Sequence, residues 1–84
     1  MRIDYILKAS AKRMQNSKVT IDWGSDCDDW VSIDAPGEES IFMQGNDATE
    51  FQAEIKALEH RCTRMNSYTI ALALAEQYVE SIWG

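Results

Sequence analysis

The chain has no long apolar segment. Its longest uninterrupted apolar run, residues 70–75, contains six residues, whereas a membrane-spanning helix needs about 20. The first residues contain neither a long apolar segment nor a small-residue cleavage site, so we expect no signal peptide. The two cysteines, Cys27 and Cys62, are too few for a secreted disulfide framework. We therefore expect a cytoplasmic protein with reduced thiols.

The sequence also lacks every residue pattern that identifies a reaction. His60 is the only histidine, and no second histidine follows four residues later, as a zinc-protease helix would require. A catalytic triad, a glycine-rich phosphate loop and paired Cys-x-x-Cys ligands are absent as well. We therefore predict a binding protein that is not an enzyme and that uses no cofactor.

A cluster of aspartates raises the question of a calcium loop. Asp26, Asp28 and Asp29 lie within four consecutive residues. Counted from Asp26, the sixth position of such a loop requires glycine and the twelfth requires a bidentate acid. Val31 and Gly37 occupy these positions. The spacing therefore predicts no metal site here, and it leaves either a solvated turn or a negative patch offered to a basic partner.

Basic residues are missing from a long central segment. Residues 19–55 contain ten acids and no Lys or Arg. Residues 1–18 have a net charge of +4 and residues 56–84 a net charge of 0, so the total is +4 − 10 + 0 = −6. Such a segment produces a negative field over part of the surface. It disfavours direct binding of nucleic acid, because neutralising phosphates requires positive charge.

Apolar spacing predicts a helix followed by three strands. Helical spacing favours an amphipathic helix over residues 4–15, on a stripe that includes Ile6, with a short strand over residues 2–7 as the alternative. Alternating patterns then predict strands over residues 19–23, 30–34 and 41–44. Pro36 and Gly37 occupy the second and third positions of a type II turn. The short connections predict an antiparallel meander.

Two further helices are predicted after the strands. Asp47 and Glu50 fit a capping box, so the first of these helices should run from residue 47 to about 64, and residues 66–67 should end it and cap a last helix over residues 68–83. The last helix is apolar nearly all round, so it is either buried on two sides or packed against a second chain. The sequence thus predicts one α+β domain, residues 1–84, with the order αβββαα.

One face of the predicted sheet is a candidate interaction surface. Trp30, Ser32 and Asp34 share the face of the second strand opposite its apolar residues. If helices cover only the apolar side, these three residues lie on the open side with one of two sets from the third strand, depending on the register. The two sets are Ile41 with Met43 and Phe42 with Gln44.

An aromatic ring beside carboxylates is typical of a protein-binding hot spot, in which the ring anchors the partner and the charges steer it. The alternative is that the tryptophans Trp23, Trp30 and Trp83 serve only the core and its packing. On the first interpretation we predict a partner-binding site for a basic protein. Its predicted residues are Asp22, Asp26, Asp28, Asp29, Trp30, Asp34, Glu38 and Glu39.

In size, compactness, excess of acid and lack of catalytic motifs, the whole chain resembles the small acidic proteins with which bacteriophages and mobile elements inhibit host defence, including anti-CRISPR proteins. The resemblance implies a stoichiometric inhibitor or adaptor that docks on a basic, nucleic-acid-binding host protein such as a CRISPR effector, as a nucleic-acid mimic. The basic first helix departs from a uniformly acidic mimic. Either it neutralises part of the acidic segment or the molecule is bipolar.

A different function remains open at this stage. The apolar last helix and the bipolar charge also suit a homo-oligomeric structural or assembly protein, in the simplest case a homodimer. A small enzyme or ligand-binding domain is the third hypothesis, for which the sequence offers no group of suitable residues.

Overall fold

The computed structural model describes residues 3–82 and confirms the predicted order αβββαα. The first helix forms as a helix and not as the alternative strand. The elements are α1 (Ile3–Asn16), β1 (Thr20–Ser25), β2 (Asp29–Asp34), β3 (Ile41–Gln44), α2 (Asn46–Arg61) and α3 (Ser67–Ile82).

The three strands form an antiparallel meander with β2 in the centre. Ile33 of β2 is paired with Ile21 of β1 on one side and with Ile41 of β3 on the other, so apolar side chains line the same face of all three strands. Val31 and Ile33 are fully buried on this face. Helix α2 packs against β2 and β3, and α3 packs against β1.

Two tight connections shape the chain around the sheet. The predicted type II turn is confirmed, because Gly37 has φ +81° and the Glu38 N–H donates to the Ala35 carbonyl oxygen at 3.2 Å. Helix α1 ends in a Schellman motif, with Lys18 in the left-handed conformation at φ 62° and the Val19 N–H donating to Met14 O at 3.0 Å.

The predicted apolar stripe of α1 (Ile3, Ile6, Leu7, Ser10 and Met14) is buried or half-buried except at Ile6. Ile6, expected on the apolar face, is 47% exposed, whereas Ser10, Ala11 and Met14 are buried. Helix α1 packs mainly against α3. The face centred on Ala11 and Met14 meets α3, and Ile6 lies about 100° away from Leu7 around the helix, outside this face.

The predicted capping box of α2 is wrong. The helix begins at Asn46, and its N-cap is Gly45, which makes no side-chain cap hydrogen bond. Gly45 has φ 67°, a conformation that glycine adopts without steric cost. The chain therefore turns from β3 directly into the helix, and the N-cap lies two residues before Asp47.

Helix α2 also ends earlier than expected. It stops at Arg61, although the buried apolar spacing continues through Cys62 and Met65. The Met65 N–H donates to the Cys62 carbonyl oxygen at 3.0 Å, so these two residues belong to a turn that folds back on the core. The predicted cap of the last helix is confirmed, since Asn66 Oδ1 accepts the Thr69 N–H at 2.8 Å.

Helix α3 is the most buried helix, which explains its nearly all-round apolar composition. It packs against α1, α2 and β1 of its own chain. Its buried residues are Ile70, Ala71, Leu72, Ala73, Ala75 and Val79. Of the two alternatives, burial on two sides within the chain is the one observed, so its composition no longer argues for a second copy. No helix in the described part of the chain is long and apolar enough to span a membrane.

Candidate protein-binding surface

The sheet presents one face to the helices and the other to solvent, and we call the second one the open face. The strand register places Phe42 opposite Ser32 and Gln44 opposite Trp30, so the Phe42 and Gln44 set lies on the open face. The residues of the open face are Thr20, Asp22, Gly24, Trp30, Ser32, Asp34, Phe42 and Gln44. Four of them, Thr20, Asp22, Phe42 and Gln44, are exposed, and the other four are half-buried.

An aromatic pair lies across one end of the open face. The rings of Trp30 and Phe42 are stacked, with centroids 6.2 Å apart and planes inclined by 18°. The indole of Trp30 also lies over Gly24, where an added Cβ would come within 2.9 Å of the ring. Glycine at this position therefore lets the indole rest on β1. Phe42 remains 57% exposed, so the pair offers an apolar surface to a partner.

Two carboxylates lie on the same face as the aromatic pair. Asp22 is opposite Ser32, whose small side chain separates it from Phe42 on β3. Asp34 accepts hydrogen bonds from the hydroxyls of Ser32 and Ser40. The centre of the open face is therefore a shallow depression, because the small side chain of Ser32 lies between the larger side chains of two aromatic and two acidic residues. Both carboxylates are held by hydrogen bonds, since Asp22 Oδ1 also accepts the Trp23 N–H at 3.0 Å.

The remaining predicted acids flank the open face at opposite ends. Asp26 and Asp28 are exposed in the β1–β2 turn, while Glu38 and Glu39 are exposed in the connection between β2 and β3. The six residues of β2 separate the two groups by about 20 Å. The acids thus lie along the sheet and do not form one cluster. Within residues 3–82, no group of three or more His, Cys, Asp or Glu residues could hold a metal ion.

Asp29 does not belong to the open face, although the sequence placed it among the binding residues. It begins β2 on the side of the helices, and its carboxylate accepts hydrogen bonds from Ser25 Oγ at 2.6 Å and Thr49 Oγ1 at 2.7 Å. These bonds lower the pKa of Asp29. The nearby Gln52 amide donates to the carbonyl oxygens of Gly24 and Trp30. Asp29 therefore ties the β1–β2 hairpin to α2.

This arrangement predicts an acid-dependent loss of stability. Because the folded-state pKa of Asp29 lies below its ordinary value of 3.8, the carboxylate stabilises the fold above that pH. The contribution is lost as the pH falls through the folded-state pKa. We expect Asp29→Asn to lose this part of the pH dependence and Thr49→Val to reduce it. Urea unfolding at a series of acidic pH values measures both.

The matched control for this experiment is Asp28→Asn, which removes the same charge from the exposed turn beside Asp29. It should retain the acid-dependent loss seen in the wild-type protein. Equal pH profiles for Asp29→Asn and wild type would contradict the structural role of Asp29. Titration of the Asp29 carboxyl carbon by NMR should show directly that its pKa is depressed.

Within residues 3–82, no basic side chain of helix α1 forms an ion pair with an acid of the open face. The Arg13 guanidinium pairs with the Glu76 carboxylate of α3 through Nε–Oε2 and Nη2–Oε1 contacts of 2.6 and 2.7 Å. This hydrogen-bonded pairing raises the pKa of Arg13 and lowers that of Glu76. It is the only ion pair within the described residues, and both partners lie on the helices. Since Lys8 and Lys12 are exposed on α1, the molecule is bipolar.

The sequence left open whether the tryptophans serve core packing or partner binding, and Trp23 and Trp30 lie on different faces of the sheet. Trp23 lies on the helix side of the sheet, opposite Val31, and packs against the core while half-buried. Trp30 lies on the open face. Trp83 is outside the described residues, so its predicted role has no structural counterpart.

The chain matches no protein-family model, and no curated protein and no solved structure is significantly similar to it. The fold and surface define a small α+β domain in which one sheet face, aromatic at one end and acidic around it, is uncovered in residues 3–82. Any function must therefore be inferred from this surface itself.

Proposed function

We propose that the protein is a non-enzymatic, stoichiometric inhibitor or adaptor that acts in the cytoplasm of the host cell. It docks the open face on a basic, nucleic-acid-binding protein of host defence, of which a CRISPR effector is the class to test first. The observation that carries this proposal is the open face itself, where a stacked aromatic pair with an exposed Phe42 ring lies beside the carboxylates of Asp22 and Asp34.

The charge of the sheet supports a basic partner. Residues 20–44, which form the three strands and their turns, contain seven acids and no Lys or Arg. Arg13, the basic residue that forms an ion pair within the described residues, pairs with Glu76, and both residues lie on helices. In the same part of the chain no Lys or Arg forms an ion pair with an acid of the open face. A negative field over this face attracts positively charged proteins and speeds their encounter.

The centre of the open face suits an arginine side chain. A guanidinium placed above Ser32 would stack against the exposed ring of Phe42 and donate hydrogen bonds to Asp22 or Asp34. Arginine is the cation that best combines aromatic stacking with paired hydrogen bonds to a carboxylate. Basic proteins that bind nucleic acid carry such arginines on the surface that meets phosphates.

The distribution of the acids supports mimicry of a nucleic acid. Acidic side chains occur at one end of the sheet, in its middle and at its other end, over about 20 Å. A groove that binds nucleic acid presents cations along a comparable length, because it must neutralise successive phosphates. A partner with such a groove would meet carboxylates where it otherwise meets phosphates.

Binding to purified CRISPR effector complexes tests the proposal. We expect a 1:1 complex whose dissociation constant rises roughly tenfold or more between about 0.05 M and about 0.5 M NaCl, because the attraction is screened. The double variant Asp22→Asn/Asp34→Asn removes two charges from the open face without changing side-chain size. It should weaken binding by about tenfold, the equivalent of about 1.4 kcal/mol.

The control is Glu54→Gln/Glu80→Gln, which makes the same change in net charge on exposed residues of α2 and α3. Its affinity should remain close to that of the wild type. Equal losses for the two double variants would show that net charge matters and the open face does not. A complex that is insensitive to salt and to the open-face variant would overturn the proposal, as would the absence of binding to any basic nucleic-acid-binding protein tested.

A further inference from the structure

Strand β3 is an unprotected edge of the sheet. It pairs only with β2, and within residues 3–82 none of its backbone groups is hydrogen-bonded to any other element. Its four residues, Ile41–Gln44, contain neither a charge nor a proline. Proteins usually protect such edges with charges, prolines, bulges or short strands, because a bare edge pairs readily with another strand. Strand β3 is short, but it has none of the other three features.

The opposite edge of the sheet is protected by comparison. Strand β1 carries the exposed carboxylate of Asp22 near its middle, a feature that discourages pairing with a further strand. Asp22 Oδ1 also accepts the Trp23 N–H at 3.0 Å, so one main-chain donor of β1 is already hydrogen-bonded to a carboxylate of the same strand. The two edges therefore differ, and β3 is the one available for strand addition.

From this difference we infer that the partner binds by adding an extended, basic segment as a fourth strand beside β3. The inference rests on the proposed function, because it specifies how the basic partner reaches the open face. Strand addition supplies affinity through main-chain hydrogen bonds and specificity through alternate side chains. An added strand also continues the open face, since every second side chain would lie beside Phe42 or Gln44.

The charges at both ends of β3 determine the occupant. Glu38 and Glu39 precede the strand, and Asp47 and Glu50 follow it. A second copy of this chain would place acids against acids, whether its β3 were antiparallel or parallel to the first. Like charges facing each other are destabilising. A segment with basic residues at both ends and on its open-face positions is complementary instead, and its arginines can stack on Phe42.

Two synthetic peptides of equal charge test strand addition. The first is acetyl-Thr-Arg-Val-Arg-Val-Arg-Thr-amide, which can extend and pair. In the second, both valines are replaced by prolines, which cannot donate to a ladder. We expect the first peptide to bind roughly ten times more tightly than the second, a difference of about 1.4 kcal/mol. Isothermal titration at low salt compares the two.

Amide hydrogen exchange of β3 distinguishes strand addition from simple charge attraction, because charge attraction alone would leave the exchange rates of the β3 amides unchanged. In a two-stranded antiparallel pairing, alternate residues direct their N–H groups away from the partner strand. Two alternate amides among the four of β3 should therefore exchange fast in the free protein. The valine peptide should slow both by tenfold or more, and the proline peptide should leave them unchanged.

The outcomes separate strand addition from the broader proposal. Equal binding of the two peptides without protection of β3 would overturn strand addition, while salt-dependent binding of an effector would still support docking of the open face. A dimeric mass in light scattering with β3 amides already protected would show that a second copy occupies the edge, and would likewise overturn the inference. Failure of the valine peptide to bind would also count against it.

Discussion

Replacing Leu72 by alanine should destabilise the protein by about 2–5 kcal/mol. Leu72 is fully buried near the middle of α3, the helix that packs against α1, α2 and β1. Leu72 belongs to the buried core, so the surrounding side chains can close the cavity left by the truncation only in part. Because each kcal/mol lowers the melting temperature of a domain of this size by about 4–8 °C, the loss is large. Urea unfolding measures it.

The same substitution two residues further along α3 is the matched control. Leu74 is only half-buried, so Leu74→Ala removes the same atoms from a side chain that already contacts solvent. Leu74→Ala should lower the free energy of unfolding by no more than about half as much as Leu72→Ala does. Equal costs at the two positions would contradict the placement of α3, because in this placement Leu72 is buried and Leu74 is only half-buried.

The fold could be predicted from the sequence because its periodicities are simple. Alternating apolar residues defined all three strands, and each strand lies within about two residues of its expected position. The prediction failed where one residue changed the local backbone. Gly45 starts α2 through a positive φ, which made the capping pattern at Asp47 irrelevant. The end of α2 was missed because Cys62 and Met65 keep helical spacing while belonging to a turn.

The open face was predicted only up to a choice between two sets of residues. The sequence showed that one face would carry Trp30 and Asp34, but the alternation along β3 is equally compatible with either orientation. The connection of residues 35–40 sets the register of β3, and a shift of one residue would have exchanged Phe42 for Met43 on this face. Nothing in the local pattern of such a connection specifies the shift.

Asp29 shows a second limit of sequence reasoning about the site. The predicted strand began at Trp30, so Asp29 was grouped with the acids of the turn. In the structure β2 begins at Asp29, and strand alternation then directs this side chain toward α2. Its partners Ser25 and Thr49 come from two separate elements. Only the packing of α2 against the sheet brings these partners to it.

The aromatic pair should depend on the absence of a side chain at position 24. We expect Gly24→Val to displace the Trp30 indole, because even a Cβ at this position would lie 2.9 Å from the ring. The ring can swing into solvent, so the stability should fall by only about 1–2 kcal/mol, through the lost stacking and packing. The indole N–H signal of Trp30, assigned with Trp30→Phe, should shift markedly.

The consequence for binding is larger than that for stability. Gly24→Val changes no charge, yet it removes the apolar anchor from the open face. Its affinity for a partner bound by the wild type should fall roughly tenfold or more, as is typical when a central aromatic residue is lost from an interface. Thr20→Val, on the same strand and face but away from the indole, should leave both the Trp30 signal and the affinity nearly unchanged. An unchanged affinity for Gly24→Val, with Trp30 displaced, would show that carboxylates alone hold the partner and that the aromatic pair serves only the sheet.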